Sequence, residues 1–181
     1  MGEARPQRVF FALWPDAEAA ARLSALARDV AAGGGRAMRP ETLHMTLAFV
    51  GAVTATRLGV LRELAAAVAG EAFDLRLDHL GYFPRGGIAW AGCSQVPSRQ
   101  RRLFEQLRAA LQATGFVVDA RTAQVPHVTL ARRVHPPPSA AIEAPIGWRA
   151  REFVLVESQL HSSGADYRTL ARFPLAEAPA D

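Results

Sequence analysis

Hydrophobic and polar positions along the chain alternate between two periods, and the switches between them predict strands and helices in turn. The apolar run Val9 to Trp14, closed by Pro15, predicts a short buried strand. Asp16 then offers an N-cap for a helix over Ala17 to Ala32, which the glycines at 33–35 end. A strand is predicted from Leu43 to Val50, and a second helix from Thr54 to Ala69 before Gly70. Phe73 to Leu80 alternates apolar with polar, the mark of a half-buried strand. A turn at Pro84–Gly87 leads into a short strand over Ile88 to Ala91, and a third helix runs from Ser98 to Ala113 before Gly115. Pro126 to Arg132 reads as a strand, and its proline suggests a start at or near a sheet edge. Pro136-Pro137-Pro138-Ser139 reads as a stiff linker. Phe153 to His161 and Tyr167 to Phe173 form a closing pair of strands around the turn at 162–164.

One unit of this pattern occurs twice. Strand, helix, then a strand opening His-x-Thr-Leu-Ala runs first from Val9 to Phe49, with the motif at His44–Ala48. It runs again from Ile88 to Arg132, with the motif at His127–Ala131. Such self-similarity predicts two related lobes that each contribute one strand to a shared centre. Strand parity puts His44 and Thr46 on one face and Met45 and Leu47 on the other. His127 and Thr129 are opposed in the same way to Val128 and Leu130. Each strand thus offers an imidazole and a hydroxyl ~7 Å apart, backed by an apolar anchor.

A single His-x-Thr is common on half-buried strands and carries little information. Two copies matched over five residues, each behind a strand–helix unit, do carry it. Two imidazoles across a cleft suit an acid–base pair working near neutral pH, and neutral threonine hydroxyls suit the oxygens of a phosphoryl group. Arg132, three residues past Thr129, adds a fork that is always charged and fits a phosphate oxygen. Phe49 offers a stacking face, but parity puts it opposite His44 unless the strand bends before Gly51, and core packing is the expectation. His79, His135 and His161 read as structural or solvated residues, and Cys93 as a small buried one. Arg99, Arg101 and Arg102 open a helix, and a solvated face accounts for them.

Composition narrows the function classes. The 181 residues are 50% hydrophobic, which suits one domain or two small lobes with a sizeable core. One cysteine excludes an internal disulfide and a Cys-x-x-Cys zinc pair. All 21 basic residues are arginine, so a P-loop, which needs lysine, cannot exist. The net charge of +4 is compatible with an anionic partner. No apolar run reaches a membrane span, and the opening MGEARPQRVF lacks the apolar core of a secretory signal. A cytoplasmic, membrane-free monomer without metal or cofactor is the expectation.

The segments LHMTLAFVG and PHVTLAR resemble the paired signatures of the two-histidine phosphoesterases. FFALWP, FPRGGIAWAG, FVLVESQL and YRTLARFPL extend the likeness over nearly the whole chain, toward the RNA 2′,3′-cyclic phosphodiesterases historically called 2′-5′ RNA ligases. The resemblance implies an α+β fold with two pseudo-symmetric lobes, antiparallel sheets around a central cleft and helices outside, over residues 1–181 as one domain. It implies metal-free hydrolysis of a 2′,3′-cyclic phosphate on RNA or a nucleotide to a 2′-phosphomonoester. By motif order His44 matches the proton donor and His127 the acceptor, with Thr46, Thr129 and Arg132 holding substrate. Two other readings use the same residues: the reverse reaction, as a 2′-5′ ligase, and a non-catalytic RNA- or nucleotide-binding module. Binding alone does not need two matched imidazoles.

Overall fold

The computed structural model describes residues 6–118, 125–135, 141–162 and 164–177. The chain opens with β1 (Gln7–Leu13), α1 (Ala17–Ala31) and the two-residue β2 (Arg36–Ala37). A 3₁₀ turn over Pro40–Thr42 leads into β3 (Met45–Val53) and α2 (Ala55–Ala66). Then come β4 (Phe73–Phe83), β5 (Ile88–Gly92), α3 (Ser98–Ala113), β6 (His127–Arg132), β7 (Ala141–Ala150), β8 (Glu152–His161) and β9 (Gly164–Pro174).

The strands join in the order β7-β4-β5-β6-β3-β1-β8-β9, with β2 pairing β6, and neighbouring strands are antiparallel. That order is pseudo-symmetric about its centre, with β6 matching β3, β5 matching β1, β4 matching β8 and β7 matching β9. β1, β3, β8 and β9 form one lobe; β5, β6, β4 and β7 form the other. The lobes meet at the motif strands through one pairing, Met45 with Val128. The duplicated motif is therefore the seam of the molecule, as the repeat predicts.

The connecting helices cross over. α1 leaves β1 yet packs on β6 and β7 of the opposite lobe, whereas α3 leaves β5 and packs on β3 and α2. α1 buries Ala19, Leu23 and Ala27, and α3 buries Leu103, Leu107 and Leu111, the spacing of one helical face. One apolar cluster runs through both lobes, with Met45, Leu47, Val128 and Leu130 within it. At the start of α1, Asp16 Oδ1 accepts from the Ala19 amide at 2.8 Å, as an N-cap should.

Three expectations change. β7 was invisible to periodicity because Pro145 and Gly147 interrupt it; it survives as an edge strand, where a missing amide donor breaks no ladder. β6 is central rather than near an edge: Pro126 stands just outside the strand, so it removes no ladder bond. β3 starts at Met45, one residue after its histidine. The proline linker at 136–139 lies outside the described residues.

Candidate active site

The two motif histidines are held alike. His44 Nδ1–H donates to the Thr42 carbonyl at 2.7 Å, and His127 Nδ1–H donates to the Val125 carbonyl at 2.7 Å. In each case the acceptor lies two residues upstream. The first is presented by the 3₁₀ turn, which Thr42 tightens by donating Oγ1–H to the Arg39 carbonyl at 2.8 Å. A carbonyl can only accept, so both imidazoles carry their neutral-state proton on Nδ1 and keep Nε2 for chemistry. Both rings line one cleft of 390 Å³ together with Thr46, Thr129, Phe49 and Arg132. That volume suits a small-molecule ligand. A larger depression between α1 and β7 contains none of these residues.

Phe49 corrects the parity expectation. In the β1–β3 ladder Ala12 faces Thr46 while Phe11 faces Ala48, which leaves Leu47 as an extra residue. The β5–β6 ladder repeats the irregularity: Trp90 faces Thr129, Ala89 faces Ala131, and Leu130 is extra. Each bulge buries two consecutive side chains, Leu47 with Ala48 and Leu130 with Ala131, and shifts the next residue to the cleft. Phe49 and Arg132 therefore join the histidine face at three residues from their threonines. Beyond Arg132 the β4–β5 turn grips the chain: the Arg133 amide donates to Gly86 O and the Val134 amide to Gly87 O. Arg133 is held at φ 58°, a left-handed conformation rarely adopted by a residue with a side chain.

Aromatic rings surround the acid–base pair. Trp14 stacks on His44 with centroids 5.1 Å apart and planes 12° apart. Phe10 lies at 5.0 Å, and Tyr167 meets the imidazole edge-on at 5.2 Å. On the other lobe Phe83 and Trp90 flank His127 at 5.2 and 5.8 Å. This burial lowers the His44 pKa to about 4, a fall opposed by the Thr42 hydrogen bond and assisted by the charge of His127. The His127 pKa is also lowered, first by burial and then, against its Val125 bond, by the Arg132 charge. Burial raises the Tyr167 phenol, which stays neutral at working pH.

Among the described residues no aspartate or glutamate lines the cleft, and its positive groups are Arg8 and Arg132 with the imidazoles. Such a lining attracts an anion and gives it donors. Among the described residues no three His, Cys, Asp or Glu side chains converge as a metal site. The remaining candidates lie elsewhere. His79 packs edge-on against Trp90, His135 hydrogen-bonds Tyr82, and His161 pairs with Asp166 at 3.4 Å. Arg99 pairs with Glu71 at 2.7 Å, and Cys93 is partly buried. Arg8, Phe10, Trp14, Phe83, Trp90 and Tyr167 were not singled out from sequence. An apolar run such as Val9–Trp14 gives no clue to which face meets the cleft.

Residues 12–166 match the family model of the 2′-5′ RNA ligase superfamily. The chain is 31% identical to the RNA 2′,3′-cyclic phosphodiesterase of Escherichia coli (strain K12), covering 95% of this chain and 98% of the relative. It is 30% identical to the RNA 2′,3′-cyclic phosphodiesterase of Thermus thermophilus, covering 93% and 90% respectively. The solved structure of E. coli LigT complexed with 3′-AMP superposes with a TM-score of 0.84 at 29% identity, over 94% of this chain and 98% of that one. Among the described residues no helix is long and apolar enough to cross a membrane.

Proposed function

The chain belongs to the 2′-5′ RNA ligase superfamily, and from that premise we propose that it hydrolyses 2′,3′-cyclic phosphate ends of RNA and nucleotides to 2′-phosphomonoesters, as one bilobal domain. The observation that carries this reading is the matched pair of imidazoles, each oriented through Nδ1 by a carbonyl two residues upstream, in a cleft that among the described residues no carboxylate lines.

The reaction needs a base beside an attacking water and an acid beside the departing oxygen, on opposite sides of phosphorus. His127 takes a proton from water through Nε2, and the hydroxide formed attacks phosphorus in line with the ester bond to the 3′-oxygen. That bond breaks, and His44 gives its Nε2 proton to the 3′-oxygen. Negative charge builds on the non-bridging oxygens, where Thr46, Thr129 and Arg132 donate hydrogen bonds. His44 enters the step as imidazolium although burial disfavours that charge in the empty cleft. The anionic diester restores the proton: a negative phosphate beside the ring favours its charged form. Substrate binding thus arms the acid.

One fixed pair of imidazoles serves one in-line geometry, so the product should be a single regioisomer. The test is phosphorus NMR of the product from 2′,3′-cyclic AMP. The expected outcome is 2′-AMP alone; 3′-AMP or an even mixture would overturn the orientation and the two assigned roles.

A further inference from the structure

Arg8 places a guanidinium on the cleft wall that a cyclic mononucleotide does not need. The cyclic phosphate carries one negative charge, and Arg132 with one imidazolium already faces it. The pseudo-symmetry makes the surplus visible. Arg132 on β6 matches Phe49 on β3, and Arg8 lays its guanidinium over the Phe49 ring, 4.7 Å from the centroid. Both lobes therefore present an arginine to one cleft by different routes. Stacking uses the face of the guanidinium and leaves its in-plane N–H donors open to a phosphate. Among the described residues no carboxylate lies within salt-bridge distance of Arg8, whereas Arg39, Arg149, Arg151, Arg168 and Arg172 all have acidic partners.

The position of Arg8 also fits a next phosphate better than the reacting one. Arg8 and Phe10 are two apart on β1, and the Phe10 ring touches the His44 ring at 5.0 Å. Two residues of strand displace Arg8 from that contact by about 7 Å. Beyond it the cleft opens, through Arg8, Ser158 and Leu160, into a polar groove that also includes Gln7, Gln159, His161 and Glu157, whose carboxylate is paired with Arg168 at 2.9 Å. In an RNA ending in a 2′,3′-cyclic phosphate, the only neighbouring phosphate is the diester on the 5′ side of the terminal nucleoside. Resting on the function proposed above, we infer that Arg8 on its Phe49 platform forms a second phosphate subsite for that upstream diester, and so selects an RNA chain over a cyclic mononucleotide.

The test compares kcat/KM on three substrates: 2′,3′-cyclic AMP, the dinucleotide ApA ending in a 2′,3′-cyclic phosphate, and the same dinucleotide with a neutral methylphosphonate linkage. The wild-type protein should favour the charged dinucleotide over the neutral one by about tenfold, the scale of one exposed charge-assisted hydrogen bond. Arg8→Gln should lower kcat/KM most on the charged dinucleotide and so erase that difference, while Arg8→Lys should keep part of it. The methylphosphonate comparison uses the unmutated protein, so a folding defect cannot mimic the result. Equal loss on all three substrates in Arg8→Gln, or an unchanged preference for the charged linkage, would overturn the subsite and leave the hydrolase reading intact. Wild-type protein inert on all three would overturn both.

Discussion

Phe49 and Arg132 occupy matching places on the two motif strands, each brought to the cleft by one extra leucine in the ladder behind it. The backbone device is duplicated while the chemistry is not. One lobe gained a stacking face and the other a fixed cation, so a pseudo-symmetric cleft can treat the two sides of a substrate differently.

The bulge makes a sharp local prediction about two adjacent arginines. Arg132 faces the cleft, whereas Arg133 is turned away at φ 58° and has its amide tied to Gly86. Arg132→Gln should lower kcat/KM by the equivalent of ~1.5–3 kcal/mol, the range for a hydrogen bond to a charged group. Arg133→Gln should leave it within experimental scatter. Similar losses in both variants would mean that general charge, not the bulge, governs binding.

Activity should have its optimum on the acid side of neutrality when measured as kcat/KM. Both imidazoles are depressed in the free protein, His44 to about 4, so at pH 7 the form with His44 protonated is a minor one. Raising pH removes that proton and lowers kcat/KM; lowering pH far enough protonates His127 and lowers it again. The bound diester raises both values, so the kcat profile should lie at higher pH than the kcat/KM profile. This displaces the neutral bell expected from two unperturbed histidines. Coincident profiles centred above ~6.5, the ordinary histidine value, would contradict it.

Stability should fall with acid for the same reason. An unfolded chain protonates His44 near its ordinary value, while the folded chain resists until about pH 4. Protons then favour the unfolded state, so stability is complete above ~pH 6.5 and is lost as pH falls from there toward 4. The loss from this residue is on the order of 3 kcal/mol. Urea unfolding between pH 7.5 and 4.5 should show a smaller decline in His44→Gln than in the wild type. Parallel declines would mean that other groups carry the acid sensitivity.

How much of this was legible follows from what parity can carry. His44, Thr46, His127 and Thr129 were readable because they alternate with residues that need burial, and those residues are buried. Phe49 departs from parity because a bulge shifts it, and the glycine that hints at a bend, Gly51, lies beyond the extra Leu47 and does not locate it. Its partner Arg132 is legible through the chemistry of a guanidinium beside a threonine and through the family signature, not through its face. Trp14 and Phe10 are unreadable for another reason: from Val9 to Leu13 β1 buries residues on both faces, so that run and the Trp14 after it are apolar throughout and no position declares the cleft. β7 was lost to Pro145, which an edge strand tolerates and periodicity does not.

Removal of metal should leave the rate unchanged. The candidate ligands among the described residues are two imidazoles already hydrogen-bonded at Nδ1 and two hydroxyls beside a positive arginine, a set that offers a divalent cation no carboxylate. Turnover of 2′,3′-cyclic AMP should therefore be equal before and after dialysis against EDTA. A rate that falls and returns only with added Zn²⁺ or Mn²⁺ would show that the imidazoles act as ligands.

The wall behind His127 should be sensitive to one methyl group. Trp90 lies across β4 at Gly81, its ladder partner, and a Cβ built at Gly81 would stand 1.9 Å from the indole Cζ2. Trp90 is 8% exposed, and its backbone is fixed between β4 and β6, so a displaced ring presses on the rings around it, Phe83, His79 and His127. Gly81→Ala should thus cost ~1–3 kcal/mol through overpacking, and part of that strain should reach the imidazole and lower kcat. Trp90→Phe removes the six-membered ring that occupies this space, along with an indole N–H that is buried without a partner. The double variant Gly81→Ala/Trp90→Phe should accordingly recover stability and kcat relative to Gly81→Ala alone. Thermal unfolding and turnover of the four proteins form a double-mutant cycle, and a coupling energy near zero would show that the indole does not confine His127.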